Sequence, residues 1–150
     1  MNQEIERKYL VTSDCYKELA VARYHIRQGY ISRERTGTVR IRITDDKAYL
    51  TIKGKPVAGH FARYEWEKEI SVRDAEELMK LCQGTIIDKT RWIVPATKKG
   101  LKWEVDEFHG RHEGLVVAEI ELEHEDQSFD KPDFIGDEVT HDPRYYNANM

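Results

Sequence analysis

The chain has 150 residues and a mass of 17.7 kDa, with 24 Lys+Arg against 28 Asp+Glu, a formal charge of −4 and a pI near 5.9. That length is one domain's worth, and the acidic balance argues against a bulk basic surface for duplex nucleic acid. No apolar run approaches the ~18 residues of a membrane span, and the opening MNQEIERKYLV is charged at once, without the apolar stretch of a signal peptide.

Hydropathy alternates with period 2 over much of the chain, which is a strand signal. It predicts strands over 3–11, 25–32, 38–44, 48–53, 63–72, 85–94, 101–108 and 115–123. Between the first two, 13–22 reads as a short helix capped by Ser13 or Asp14. The stretches 44–47 and 95–100 read as hairpin connections, and 55–60 as a Gly- and Pro-bearing loop. A helix is predicted over 74–82, where Ala75, Leu78, Met79 and Cys82 recur at helical spacing and Gly84 ends it. The stretch 134–139 carries no decisive period, and 143–150 reads as a closing turn and tail. Cys15 and Cys82 are far apart, fit neither a disulfide framework nor a CxxC metal site, and point to a reducing cytoplasm. Strands joined mainly by hairpins, with two or three helices, predict a mainly β (α+β) fold on an antiparallel sheet or barrel.

Charged residues make up 35% of the chain, against about a quarter in ordinary domains. Strand side chains alternate between faces, and sorting by parity shows where the excess sits. Glu4, Glu6 and Lys8 share one face of the first strand, opposite Ile5, Tyr9 and Val11. Arg40 and Arg42 share a face, as do Thr51 and Lys53, Glu65, Glu67 and Glu69, Lys89 and Arg91, Lys102, Glu104 and Asp106, and Glu119, Glu121 and Glu123. Ile87 and Ile93 blur the sixth strand. A wet face on an antiparallel sheet would account for charge without any function. Here, however, nearly every such position is charged, and the charges are grouped by sign. Neighbouring glutamates on one face, about 6–7 Å apart, repel unless cations lie between them. If the sheet closes with this face inward, the lumen holds carboxylates that suit hard divalent cations and Arg and Lys heads that suit phosphate oxygens. Such a lining is shaped for a metal–polyphosphate complex.

The residues resemble a known family. Glu4-Ile5-Glu6-Arg7-Lys8 matches the ExExK signature of the CYTH superfamily, or triphosphate tunnel metalloenzymes. It is followed in order by RQGYIS (27–32), VRIR (39–42), YLTIKG (49–54), RYEWEKEIS (63–71), DKTRW (88–92), WEVDEF (103–108), VAEIELE (117–123) and EVTHDPRYYN (138–147). The resemblance spans essentially the whole chain as a single CYTH domain over 1–150, and is closest to short bacterial tripolyphosphate hydrolases. It implies an antiparallel eight-stranded closed β-barrel, a tunnel that binds triphosphate, and a Mg²⁺ or Mn²⁺ cofactor. It implies Glu4, Glu6, Glu119 and Glu121 as metal ligands, with Glu121 completing the main site. It implies Lys8, Arg40, Arg42, Lys53 and Arg91 as phosphate contacts, and Lys89 as positioning or activating the attacking water. Glu65, Glu67 and Asp106 are further acidic tunnel positions, Arg144 a basic residue of the closing segment, and Tyr30 a partner for a lysine. The longer helical tail of some members is missing after Asn147, so the closure of one tunnel mouth stays open.

The reading that follows is metal-assisted transfer of the terminal phosphoryl group of tripolyphosphate to water, with Lys8, Arg42 and Lys89 as the catalytic candidates. Water activation by Lys89 or by a second metal stays open. Two alternatives stand beside it: a class IV-type adenylyl cyclase or organic (thiamine or nucleoside) triphosphatase, and a polyphosphate-binding module without turnover. The paired ExE and EIE motifs argue against the last, since phosphate binding alone needs no metal cluster. Expected partners are a small-molecule triphosphate, with no duplex nucleic acid and no membrane; oligomeric state stays open, a homodimer included. His109 and His112 read as a solvated loop and not as zinc ligands. Trp66, Trp92 and Trp103, opposite the charged face, read as core packing between barrel and helices.

Overall fold

The structure, a computed structural model, describes residues 3–34, 36–55 and 62–150. All but the first residue of the loop expected over 55–60 lies outside them. The strands are β1 (Gln3–Val11), β2 (Ala22–Ser32), β3 (Gly37–Thr44), β4 (Lys47–Gly54), β5 (Ala62–Ile70), β6 (Gln83–Pro95), β7 (Lys102–Phe108), β8 (Val116–Leu122) and β9 (Ile135–Glu138). Two α-helices accompany them, α1 (Tyr16–Leu19) and α2 (Val72–Met79).

Antiparallel neighbours run β5-β4-β3-β2-β6-β7-β8-β1, and β1 pairs back onto β5 through Gln3↔Tyr64 and Glu4↔Arg63. The sheet is therefore a closed eight-stranded barrel with β9 as an added strand. Strand β1 is long enough to serve two partners on one edge. Its first half closes the barrel, and its second half carries β9 through Tyr9↔Glu138 and Val11↔Ile135.

The expected elements hold, with shifts that have local causes. Helix α2 starts at Val72, because Ser71 is extended and its hydroxyl accepts from the Asp74 N–H at 3.0 Å, an N-cap. Helix α1 is a single turn whose N-cap position is Cys15, with no side-chain cap, so neither Ser13 nor Asp14 fills that role. Strand β2 begins at Ala22 because its backbone finds β6 from Ala22↔Ile93 onward. Strand β9 covers the stretch that lacked a period.

The apolar faces point out of the barrel. Tyr9, Trp103, Val105, Ala118, Ile120 and Leu122 form a core on the outer wall, closed over by Tyr16 and Phe134. Trp103 meets Tyr9 and Phe129 edge-on, with ring centroids 5.7 and 5.8 Å away. A second core sets Ile41, Ile43 and Ala48 against Ala75, Leu78 and Met79 of α2. Trp92 packs at the edge of the first core. Trp66 does not pack as expected: it lies opposite Ile52 and is 38% exposed, on a stretch of wall that neither described helix covers.

One end of the barrel is filled differently. Ile87, Phe108 and Val117 form an apolar layer with Leu10, Leu115, Tyr145 and Met150 packed against it. This places Ile87 on the inner face, which is why that strand's charge alternation looked blurred. The layer and the 3₁₀ turns Pro143–Tyr145 and Asn147–Asn149 close the barrel there without a long helix. Among the described residues no helix is long and apolar enough to cross a membrane.

Trp103 is fully buried on the outer wall. Trp103→Ala should destabilise the protein by about 3–5 kcal/mol, read as a lower urea midpoint at unchanged slope.

Candidate active site

Residues directly opposed in an antiparallel pair share a face, and the register lines up the charged positions around the lumen. Glu6 opposes Glu121, and Lys8 opposes Glu119, which in turn opposes Glu104. Arg91 opposes Asp106. Arg40 opposes Thr51, Thr51 opposes Glu67, and Lys53 opposes Glu65. Ionised side chains thus fill the place where most barrels keep apolar packing, and Lys89 and Asp106 are only 1% and 2% exposed.

One wall is cationic and is organised by Asp106. Its Oδ1 accepts from Arg91 Nε at 2.7 Å, and its Oδ2 accepts from Arg91 Nη2 at 2.9 Å and from Lys89 Nζ at 2.7 Å. Burial alone would raise the Asp106 carboxyl, but Arg91 and Lys89 hold it down at about 2. Burial lowers the Lys89 amine to about 7, with Asp106 opposing and the nearby Arg91 and Arg42 adding to the drop. Arg42 is brought down to about 9 by burial and by Arg40 and Arg91, and is still charged at neutral pH. Its Nε donates to Gln28 Oε1 at 2.8 Å. Arg40 reaches Thr51 Oγ1 at 3.3 Å and Glu67 at 3.7 Å, while its buried Nε finds no partner among the described residues. A buried guanidinium donor without an acceptor is what an anion-binding wall leaves for its ligand.

The facing wall is acidic. Glu6 on β1 and Glu119 on β8 are near enough to shift one another's carboxyls. Burial and the neighbouring Glu119 push the Glu6 carboxyl well up. Burial also acts to raise Glu119, but Lys8 and the neighbouring Glu6 hold it well down. Glu4 is raised by burial, although Lys53 Nζ donates to its Oε1 at 2.6 Å. Lys53 also lies 3.6 Å from Glu65. Burial works against its charge, but Glu6 and Glu4 outweigh that and its pKa is raised. Glu121 is raised by burial and by Glu4 and Glu104. Among the described residues no three His, Cys, Asp or Glu side chains stand gathered as a finished coordination shell. The donor chemistry fits a hard divalent cation nonetheless. It is all carboxylate oxygen, and, beyond burial, neighbouring acidic groups push the Glu6 and Glu121 carboxyls up, a repulsion that a bound cation would relieve.

Glu4, Glu6, Lys8, Arg40, Arg42, Lys53, Glu65, Glu67, Lys89, Arg91, Asp106, Glu119 and Glu121 are therefore brought to one lumen. Arg144 is not among them. Its guanidinium is largely exposed and pairs with Asp142 at 2.7 Å. Tyr30 is buried, but its hydroxyl meets the Gln28 amide at 3.2 Å and no lysine among the described residues. Sorting by parity had already set Thr51 beside Lys53, and it is fully buried there; passed over were Gln28, fully buried on the same face, and Asn147, whose Oδ1 accepts from Lys89 Nζ at 2.7 Å. The only hint of these two lay in the quoted segments RQGYIS and EVTHDPRYYN. His109 stays on the loop side, hydrogen-bonded to Thr90.

Comparison with known proteins agrees with this geometry. The CYTH domain model matches residues 2–146. The chain belongs to the CYTH family. A protein of Acetivibrio thermocellus named inorganic triphosphatase is 48% identical to this CYTH chain over all of it and 94% of the relative. Another of the same name, from Nitrosomonas europaea, is 34% identical over 98% of this chain and 95% of the relative. A crystal structure of an inorganic triphosphatase superposes with a TM-score of 0.69 at 31% identity, covering 99% of this chain and 94% of that one.

Asp106 is the only carboxylate in direct contact with the Lys89 amine among the described residues. Asp106→Asn should cost about 3–5 kcal/mol, because it leaves two buried cations without their shared anion; chemical denaturation measures it.

Proposed function

We propose that this CYTH protein is an inorganic triphosphatase that transfers the terminal phosphoryl group of tripolyphosphate to water. The observation that carries the reading is the opposition of two walls in one barrel. Arg40, Arg42 and Arg91 line one with phosphate donors, and Glu4, Glu6, Glu119 and Glu121 face them with hard oxygen ligands, with Lys8 and Lys53 as further phosphate donors set among the acidic residues. Two full-length relatives named inorganic triphosphatase support the same activity.

Glu4, Glu6, Glu119 and Glu121 are the residues to hold the cation, Mg²⁺ or Mn²⁺. Bound there, it supplies neutralisation of phosphate charge as the P–O bond breaks. The chain's own residues do the rest. Arg forks fix the equatorial oxygens and stabilise the charge that grows on the leaving diphosphate. Water attacks the terminal phosphorus in line, the bond to the bridging oxygen breaks, and the products are phosphate and diphosphate. Lys89 takes the proton of that water. Its amine, lowered to about 7, is a free base in a useful fraction at neutral pH, which an ordinary lysine is not. The substrate is a small-molecule triphosphate and the compartment a reducing cytoplasm, in keeping with the unpaired thiols of Cys15 and Cys82.

A phosphate-release panel tests the reading. Tripolyphosphate, pyrophosphate, ATP and thiamine triphosphate are each assayed with Mg²⁺, Mn²⁺ and chelator. Release should be fastest from tripolyphosphate and lost with chelator; cyclic AMP from ATP, or tight binding with no release, would overturn it. Glu6→Gln should lower turnover and weaken metal dependence, while the melting temperature stays within a few degrees.

Because only the free base accepts the proton, turnover should rise with pH through about 7. Lys89→Arg keeps a cation but cannot lose its proton near neutrality. It should remove that limb of the pH–rate profile and lower kcat by roughly a hundredfold or more.

A further inference from the structure

Lys89 and Arg42 lie on different strands, β6 and β3, and no hydrogen bond joins them directly. Two neutral amides join them instead. Arg42 Nε donates to Gln28 Oε1 at 2.8 Å, Gln28 Nε2 donates to Asn147 Oδ1 at 3.0 Å, and Lys89 Nζ donates to the same Oδ1 at 2.7 Å. Chemistry dictates the orientation of both amides. A guanidinium can only donate, so the Gln28 oxygen must face Arg42 and its NH₂ must face away. That NH₂ needs acceptors and finds the Asn147 oxygen and the Tyr30 hydroxyl, the latter at 3.2 Å. A hydrocarbon at either position would leave a buried cationic N–H without a partner. Gln28 is fully buried, which restricts it to this one arrangement.

Asn147 belongs to the segment that closes the barrel end, and the same segment holds a second cation. Lys8 Nζ donates to the Tyr145 carbonyl at 2.9 Å, and its ammonium lies 5.7 Å from the Tyr146 ring centroid. Tyr145 and Met150 anchor the segment on the apolar layer, and Arg33 grips the Ala148 carbonyl.

We propose that Asn147 and Gln28 are positioning residues, which tie the Lys89 amine and the Arg42 guanidinium into one hydrogen-bonded line and make the segment 143–150 part of the working tunnel. Asn147 takes one hydrogen of the Lys89 amine and Asp106 another, so the remaining hydrogen or the lone pair has a single defined direction. Without Asn147 the amine pivots about Asp106 alone. This inference rests on the triphosphatase reading, because it concerns the geometry of that reaction.

The charged groups around the Lys89 amine are Asp106 on β7, Arg42 on β3, Glu119 on β8 and Arg91 on its own strand, with the Phe108 ring centroid 5.5 Å away. Asn147 is the neutral member of this surround, and substituting it separates position from charge. The experiment compares wild type, Asn147→Ala, Asn147→Asp and Gln28→Met in tripolyphosphate hydrolysis with Mg²⁺, recording kcat, KM, the pH–rate profile and the melting temperature. Asn147→Ala should lower kcat roughly ten- to a hundredfold, with KM within about twofold and melting within a few degrees. Asn147→Asp keeps an acceptor for both Lys89 and Gln28. It should recover most of that loss at its own optimum and move the limb near pH 7 upward, because the added carboxylate favours the ammonium. Gln28→Met should reproduce the kcat loss of Asn147→Ala.

Wild-type kcat in Asn147→Ala, or equal losses in Asn147→Ala and Asn147→Asp with an unmoved limb, would overturn the inference. If Asn147→Ala melts early, the comparison of Asn147→Asp with Gln28→Met decides it, and wild-type kcat in Gln28→Met overturns it. Absence of phosphate release by the wild type would instead overturn the triphosphatase reading, so the two failures are distinguishable.

Discussion

A barrel lined with ionised side chains stands only if each buried charge has a counter-charge in contact, and here the contact that matters most is Asp106 between Lys89 and Arg91. All three groups are buried, and each would be costly alone. Together they form a bidentate pair and a third short bond on one carboxylate. The arrangement leaves the cationic wall with more positive charge than this carboxylate neutralises. Among the described residues, Arg40 keeps an unpartnered Nε, and Arg42 is hydrogen-bonded only to a neutral amide. The surplus faces a carboxylate wall with the opposite imbalance, where Glu6 and Glu119 shift one another's carboxyls. A site in which one wall has a surplus of cations and the other a surplus of carboxylates suits a ligand that carries both signs.

The same arrangement explains why the apolar core lies outside the barrel. With the inner faces of β1 and β3–β8 given to charge, hydrophobic burial has to come from the outer faces, and these need cover. Helix α2 covers β3 and β4, while α1, Phe134 and β9 cover the wall around Trp103. The helices are therefore few and short, and they sit where the barrel alone would expose Ile41 or Ile120. At Ile52 and Trp66, which neither described helix covers, the apolar face stays partly in water.

Most of this was legible in the sequence because two simple periods carry it. Alternation by two residues marked eight strands and sorted Glu4, Arg42, Lys53 and Glu121 onto the charged faces, while the closed barrel that turns those faces inward was implied by the family resemblance. What alternation cannot show is register across the barrel, which decides that Asp106 meets Lys89 and Arg91 while Glu65 meets Lys53. Neutral polar residues were invisible for a related reason. Gln28 sits on a strand whose inner face carries no charge, and Asn147 follows no period at all, since it arrives on a 3₁₀ turn from the far end of the chain. Arg144 shows the converse. Its motif resembled a tunnel residue, but a local Asp142, two positions away, satisfies it outside. Strand β9 escaped because four residues are too short to establish a period.

Lys89 and Arg42 show how residue type, under shared pressure, assigns roles. Both are buried in the same lumen, and both have neighbouring guanidinium groups that push their protons off. Arginine starts so high that the same push leaves it near 9, charged throughout the physiological range; lysine falls to about 7 and can exist in either form. A wall of arginines alone would bind a phosphate chain and have no proton acceptor. Placing one lysine within it, beside Asp106 and Asn147, introduces a group that can change charge without disturbing the cations around it. In the proposed reaction the fixed forks would hold the substrate, and Lys89, whose amine titrates near neutrality, would take the proton of the attacking water.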